Sequence, residues 1–505
     1  MSGRTIDRVL FVRTSNRVNL SLVQPLGILY LVGALRRDLD PPPSEIRVID
    51  YALSGSTHQS LSRDIESFAP DLVGISGLTV EADLMLQVAR QARNSSSRPV
   101  VVAGGPHATS DPAHLLGLGT VDVVVVGEGE QTLPELVSCL RCGGELRDVP
   151  GLALPGGDGS PVLTPQRALV TDLDRLPDPA WDTIPMADYS ANPVYTMCQS
   201  LKAPLVAAVM TSRGCPFGCF YCHKYFGRKV RARSPENVLA ELEQLYHRHG
   251  VREIHLIDDF FNFDLDRVRE ICRLIVARGL DINIAFPNGI RGDRLDEETL
   301  RALKRAGTYK LYVAVESGSP RVQRYIGKRM DLEALERNIA LAAGMGITVS
   351  AFFMLGFPTE TREEMEQTIR FALRSRLHGA NFYKVIPYPG TKLADVWAEE
   401  YPAPGEGGET YGNFWFHTRS LPAPPERLML VDEMQVRAYR KFYGSPLRSA
   451  AYFIRHPNKG LAVSNLWAMF RNVAGYHRDC WFRPEAMKRH YFNGTISPER
   501  TSWQD

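Results

Sequence analysis

The sequence predicts an α/β chain: a doubly wound parallel sheet of flavodoxin or Rossmann type, then a partial (βα)6 barrel, then a mostly helical carboxyl-terminal region. Three observations predict it. Val- and Ile-rich runs alternate with stretches of helical period. That alternation occurs twice, on either side of a Pro-, Gly- and Asp-rich stretch. The runs of the first alternation also tend to end in Ser, Gly or His, as strands do where a turn starts the next helix. At 505 residues, 44% apolar and 23% charged, the chain has the composition of a soluble globular protein, and its length suggests about three domains.

The first alternation runs from Arg8 to about Leu140. Its strands are "VLFV", "IRVID", "LVGIS", "PVVVAGG" and "VDVVVVGEGE", and its helices include "PLGILYLVGALRR" and "VEADLMLQVARQAR". We assign residues 1–145 to this domain and 146–204 to a linker carrying a small hairpin. Six further strands follow within 205–395: "LVAAVMTSRG", "REIHLIDD", "INIAFPNG", "KLYVAVESGS", "ITVSAFFMLGFP" and "ANFYKVIPYPG". Helices are expected from Pro235, Leu265, Asp296, Leu332 and Thr361. The uncharged window Ile339–Phe357 is nearly long enough to span a membrane, but Gly344 and Gly346 interrupt it, so it reads as a helix end, a turn and a buried strand. Residues 396–505 form a loop and helices from Pro425.

A net charge of +2 gives no support for a nucleic-acid partner, and none is expected. "MSGRTIDR" leads only into "VLFV", which is too short for a signal peptide. Eight scattered cysteines do not make a secreted disulfide scaffold, so the expected location is the cytoplasm. Between Val436 and Tyr491, eleven Lys or Arg face two acids among interleaved aromatics. Such a stretch reads first as surface helices over a core, and second as a contact for an anionic membrane or an acidic substrate.

The two sheets predict where ligands sit. In an open parallel sheet that place is outside the carboxyl strand ends, here "SGLT" (Ser76, Gly77, Leu78, Thr79), "GGPH" (Gly104, Gly105, His107) and "GEGE" (Gly127, Glu128). Each could be only the turn that starts a helix; three in succession favour a cofactor holder, and none matches G-x-G-x-x-G. In a barrel the same rule places chemistry at the carboxyl strand ends. There "TSRGCPFGCFYCHKYFGRK" puts Cys215, Cys219 and Cys222 on one Gly- and Pro-bent loop after the first barrel strand. Cys-x3-Cys-x2-Cys suits a [4Fe–4S] cluster with three thiolate ligands and one iron left open. The alternatives are incidental thiols or a zinc site completed by His223, although adjacent Cys222 and His223 close one tetrahedron poorly. Cys139, Cys142, Cys198, Cys272 and Cys480 read as structural or incidental.

The Cys-x3-Cys-x-aromatic-Cys loop, with Tyr221 as the aromatic, resembles the signature of the radical S-adenosylmethionine (SAM) enzymes. The resemblance implies that Cys215, Cys219 and Cys222 hold the cluster, that SAM takes the open iron, and that Tyr221 lies against the adenine. Asp258 and Asp259 stand where the family carries a "GGE"-like motif contacting the SAM amino group. Glu316 and Ser317 of "ESGS" match a ribose- or amine-contacting position, with a helix N-cap neighbour as the alternative for Glu316. Pro358 of "LGFP" follows the fifth strand, and "PYPGT" the sixth. An α/β domain upstream of such a barrel resembles the cobalamin-dependent class, over roughly residues 8–395.

The chain lacks Asp-x-His-x-x-Gly, which implies base-off cobalamin without a His lower ligand, with Ser76–Thr79 near the corrin's lower face. His107 then contacts the cofactor's periphery or structures its loop. The implied reaction is methylation of an unactivated carbon of a small natural-product or lipid-like substrate, through a 5′-deoxyadenosyl radical and methylcobalamin. The implied electron donor is flavodoxin or ferredoxin. The alternatives are ring contraction, cyclisation or oxidative rearrangement without methyl transfer, or a first domain that is a cobalamin-free partner-recognition module. Tyr383 and Tyr388 are expected pocket walls, though aromatics at strand ends also serve as filling; no catalytic acid or base is identified.

Overall fold

The computed structural model describes residues 3–15, 22–54, 58–157, 160–191, 201–402 and 423–456, with 459–460, 462–463 and 467. The first sheet contains β1 (Arg8–Arg13), β2 (Glu45–Asp50), β3 (Leu72–Ser76), β4 (Val100–Gly104), β5 (Val123–Val125), β6 (Leu152–Pro155) and β7 (Pro161–Leu163). Their order is β2-β1-β3-β4-β5-β6-β7, parallel through β5. β1 shows why the strands read as continuous apolar runs: Val9 and Phe11 pack into one core, Leu10 and Val12 into the core on the other face. The linker's hairpin is not separate. β6 pairs antiparallel with β5, and β7 with β6, extending this sheet.

The second sheet holds six parallel strands. After β8 (Val206–Val209) a small antiparallel pair intervenes, β9 (Ser212–Arg213) with β10 (Arg231–Ala232). The sheet continues through β11 (Glu253–Leu256), β12 (Asn283–Ile290), β13 (Thr308–Glu316), β14 (Thr348–Leu355) and β15 (Gly379–Lys384). Its order is β15-β14-β13-β12-β11-β8, an open, partial barrel. The sequence's helix signals act as caps. Ser234, Asp264, Asp296, Asp331 and Thr361 each accept a backbone N–H of the first turn that follows. The uncharged window resolves into the helix Leu332–Gly344 and the strand β14.

An open barrel leaves two edges of unpaired backbone. The first domain covers β8: Gln24 donates to the Val206 carbonyl at 2.7 Å and accepts from Ala208 N–H at 3.0 Å, while Ser190 Oγ accepts from Val206 N–H. The helix Pro425–Tyr443 covers β15. Gln435 donates to Phe382 O, and the hydroxyls of Tyr439 and Tyr443 accept from Phe382 and Ala380 N–H. Several of the basic residues beyond Val436 are tied to the barrel: Arg437 and Lys441 pair with Glu366, and Arg448 donates to the carbonyls of Leu373, Leu377 and Ser375. Most of that basic stretch, the loop 403–422, Cys198 and Cys480 lie outside the described residues. No helix among the described residues is long and apolar enough to cross a membrane.

Candidate active site between the two sheets

A cavity of about 430 Å³ opens at the carboxyl ends of β1, β3, β4 and β5. Ser76, Gly77, Leu78, Gly104, Gly105, Gly127 and Glu128 line it from the first sheet, and Met210, Arg213, Tyr225, Phe226 and Ile257 from the barrel side. Two glycines are required there by the backbone. Gly127 (φ +84°) would project a Cβ into open space, and at Gly105 (φ +87°) a Cβ would lie 2.5 Å from Ser76 Oγ. Leu78 is 51% exposed, an apolar side chain presented to the site. Arg13 and Gln24, which the motifs did not single out, complete the wall.

Two expected cofactor contacts, Thr79 and His107, stand off the cavity wall, and a third, Glu128, is engaged by other side chains. Thr79 is buried at the start of the short helical turn Thr79–Glu81. His107 is fully buried, its Nε2 3.0 Å from His114 Nδ1, and burial with His114 lowers its pKa to about 4. It does not border the cavity, and its ring partner is His114, seven residues on. Glu128 borders the cavity, but its carboxylate is committed to the barrel. It accepts from Arg213 at 2.9 Å, from Arg231 through both oxygens at 2.9 and 3.0 Å, and from Val170 N–H at 2.8 Å. Glu130 accepts the second arm of Arg213 at 2.5 Å. These four charged side chains are 4–7% exposed and join "GEGE" to the β9–β10 pair.

That pair closes the neck of the cysteine loop. Gly214 (φ +93°) enters it, and a Cβ there would strike the Lys229 carbonyl. Cys215 N–H then bonds to Gly227 O, Phe220 N–H to Ile326 O, and Leu393 N–H to Phe220 O, fixing the loop over Phe220, Ile326, Phe357 and Trp397. The thiols suit a cluster. Cys222 is exposed, Cys215 and Cys219 are half-buried, and all three are free thiols carried on the one loop. Three mutually repelling sulfurs on one loop fit a multivalent iron–sulfur cation. His223, the alternative zinc ligand, turns toward the first domain: its ring stacks on Tyr225 at 4.7 Å, and Nδ1 lies 3.5 Å from Ser110 Oγ. Among the described residues no three His, Cys, Asp or Glu side chains are grouped for a single metal ion.

The expected SAM contacts divide by the partners they face. Tyr221 donates to Glu316 Oε1 at 3.3 Å, and Lys328, which the sequence reading missed, reaches the same oxygen at 2.9 Å. Glu316 sits at the end of β13 with φ +66°, a strained conformation for a non-glycine residue. Gln323 holds it there by donating to the carbonyls of Val315 and Ser317 on either side. Asp259 is exposed and faces Gly214 N–H at 3.4 Å.

Asp258, by contrast, is buried and occupied. It accepts from Thr211 N–H at 2.8 Å and from the hydroxyls of Thr211 and Ser212 at 2.6 Å, so it positions the loop's stem. Ser317 is fully buried against Thr368, and Pro358 is buried. The two tyrosines separate. Tyr383 lies inside the barrel next to Phe352, itself stacked on Tyr312, whereas Tyr388 lies 5.7 Å from the His223 ring.

The Radical SAM superfamily model matches residues 209–372, and the B12 binding domain model residues 17–137. An uncharacterized methyltransferase of Pyrococcus horikoshii is 36% identical over 372 residues, 73% of this chain and 77% of that one. The cytidylyl-2-hydroxyethylphosphonate methyltransferase of Streptomyces wedmorensis is 28% identical over the same shares. The fold is shared with the radical SAM methyltransferase TsrM of Kitasatospora setae, solved with tryptophan and a SAM analogue: TM-score 0.67, 18% identity, covering 94% of this chain and 99% of that one. With the B12 binding and Radical SAM models matching in series and a methyltransferase relative at 36% identity, the chain belongs to the cobalamin-dependent radical SAM methyltransferase family.

Proposed function

We propose that the chain methylates an unactivated carbon of a small natural-product or lipid-like substrate held between the two sets of carboxyl strand ends. The observation that carries this reading is the shared cavity: residues of the B12-binding sheet and residues flanking the cysteine loop line one space. When bound, the cluster with SAM supplies a 5′-deoxyadenosyl radical that removes hydrogen, and cobalamin supplies the methyl group.

The chain's own residues orient these groups. Cys215, Cys219 and Cys222 hold the cluster, and Glu316, kept in place by Lys328 and Gln323, meets the ribose or amine of SAM beside Tyr221. Asp259 takes the amino group, and Asp258 acts through Thr211 and Ser212 as a positioning residue. Ser76, Gly77 and Leu78, with Gly104, Gly105 and Gly127, line the cavity and would hold the corrin. Among the described residues no histidine lines the cavity, which is in keeping with base-off cobalamin without a His lower ligand. A flavodoxin or ferredoxin supplies the electron.

The test is anaerobic incubation of cluster-reconstituted, cobalamin-loaded enzyme with SAM and candidate substrates, measuring 5′-deoxyadenosine and S-adenosylhomocysteine together. Substrate-dependent formation of both supports methyl transfer. Deoxyadenosine alone, with an unmethylated product, refutes it in favour of rearrangement.

A further inference from the structure

A second cavity lies at the opposite pole of the barrel, under the amino-terminal ends of its strands, and shares no residue with the cavity between the sheets. Its volume is about 130 Å³. At roughly 30 Å³ per water it holds about four, the size class of one small polyatomic ion. Lys310 and Thr348 are register partners at the starts of β13 and β14, and Ser350 pairs with Gly379 of β15. The helix Pro446–Arg455 closes the far side, and Arg448 anchors it to the carbonyls of Leu373, Leu377 and Ser375.

The lining is cationic. Lys202, Lys310 and Arg455 border the space with His378 and His456, and among the described residues no Asp or Glu does. Lys304 Nζ comes within 3.9 Å of a Cβ built on Gly346, another wall residue. The buried carboxylate nearby, Glu253, is saturated. It accepts from Lys202 N–H at 2.6 Å, Ala203 N–H at 2.9 Å and Tyr309 OH at 2.6 Å, and its Oε1 lies 3.1 Å from His255 Nε2. Burial first, and neighbouring cations second, shift two of these groups: burial with Lys304 lowers the Lys202 ammonium, and burial with Arg455, Arg376 and Arg448 lowers His378 to about 4. His378 is therefore a neutral donor. Its Nδ1 accepts from Val349 N–H at 3.0 Å, which leaves the ring proton on Nε2.

Gathered cations, hydroxyls and a neutral N–H donor around a small hollow whose described wall carries no carboxylate match the charge and hydrogen-bonding needs of an oxyanion. We propose that this cavity binds a small oxyanion of the phosphate class, with Lys310 as the buried cation and Lys202 and Arg455 at its mouth. The source is a free ion or the phosphate of a small monoester.

The holoenzyme is titrated with inorganic phosphate at constant ionic strength, chloride as the control, by equilibrium dialysis and by thermal midpoint. One saturable site per chain is expected, with a midpoint that rises with phosphate and not with chloride. Lys310→Gln should weaken binding at least tenfold and Arg455→Gln several-fold, both leaving 5′-deoxyadenosine formation unchanged. Arg455 is exposed, so its variant reports even where Lys310→Gln does not fold. Glycerol phosphate competing more tightly than phosphate assigns the site to a monoester, and weaker competition to the free ion. Absence of saturable binding, or wild-type binding by the variants, overturns the proposal.

Discussion

Replacing Arg213 with methionine strikes the joint between the two domains. The guanidinium is 4% exposed and donates to Glu128 at 2.9 Å and to Glu130 at 2.5 Å. In its absence Glu128 keeps Arg231 and the Val170 N–H, whereas Glu130, 6% exposed, loses the arginine that pairs with it. Stranding one partner of a buried pair costs about 3–5 kcal/mol. Arg213 also lies over the rings of Tyr30 and Phe226, at 5.5 and 5.1 Å, contacts worth about 0.5–1 kcal/mol each. The expected loss is therefore about 4–7 kcal/mol. Adding Glu130→Gln removes the stranded charge, so the double variant should be about 1–3 kcal/mol more stable than the sum of the single effects. Urea unfolding of wild type, both single variants and the double variant reads these values, and iron content should fall with the loosened β9–β10 pair. A loss under about 1 kcal/mol for Arg213→Met, or strictly additive variants, would refute the reasoning.

Gly214→Ala forces a side chain into a positive-φ position against the Lys229 carbonyl, so iron analysis should show a depleted cluster while bound cobalamin is unchanged. Gly127→Val should do the reverse, because its side chain enters the cavity between the sheets: corrinoid content falls and iron remains. Glu360 is buried, accepts from Gly356 and Phe357 N–H, and has its pKa raised by burial from 4.5 to about 7. The folded state thus holds the proton more tightly, and this group's contribution to stability falls as pH rises from about 4.5 to about 7. Glu360→Gln should flatten the stability profile between about pH 4 and pH 8 by about 3 kcal/mol, read from denaturation midpoints.

The sheet strands and the cap-started helices were legible because their signals are local: period-two or wholly apolar runs, and Ser, Thr or Asp ahead of a helical stretch. The cysteine loop was legible for the same reason. What escaped is non-local. β9 and β10 are two residues each, too short to carry a pattern, and the Arg213–Glu128–Glu130–Arg231 cluster joins positions more than eighty residues apart. Adjacent residues also took opposite roles that composition does not separate. Asp258 turns into the stem while Asp259 faces out, and Ser317 turns inward while strained Glu316 faces Tyr221. His107 belongs to the same class: its partner His114 settles its place in the loop, and only the fold brings the two rings together.

The central claim is that two cofactors act on one substrate from facing walls of a single cavity. The direct measurement compares cobalamin-loaded with cobalamin-depleted enzyme, both with full clusters, for 5′-deoxyadenosine, S-adenosylhomocysteine and methylated product under anaerobic turnover. The loaded enzyme should form all three in step, and the depleted enzyme deoxyadenosine without homocysteine product or methylation. Equal S-adenosylhomocysteine and methylated product from the depleted enzyme would contradict it.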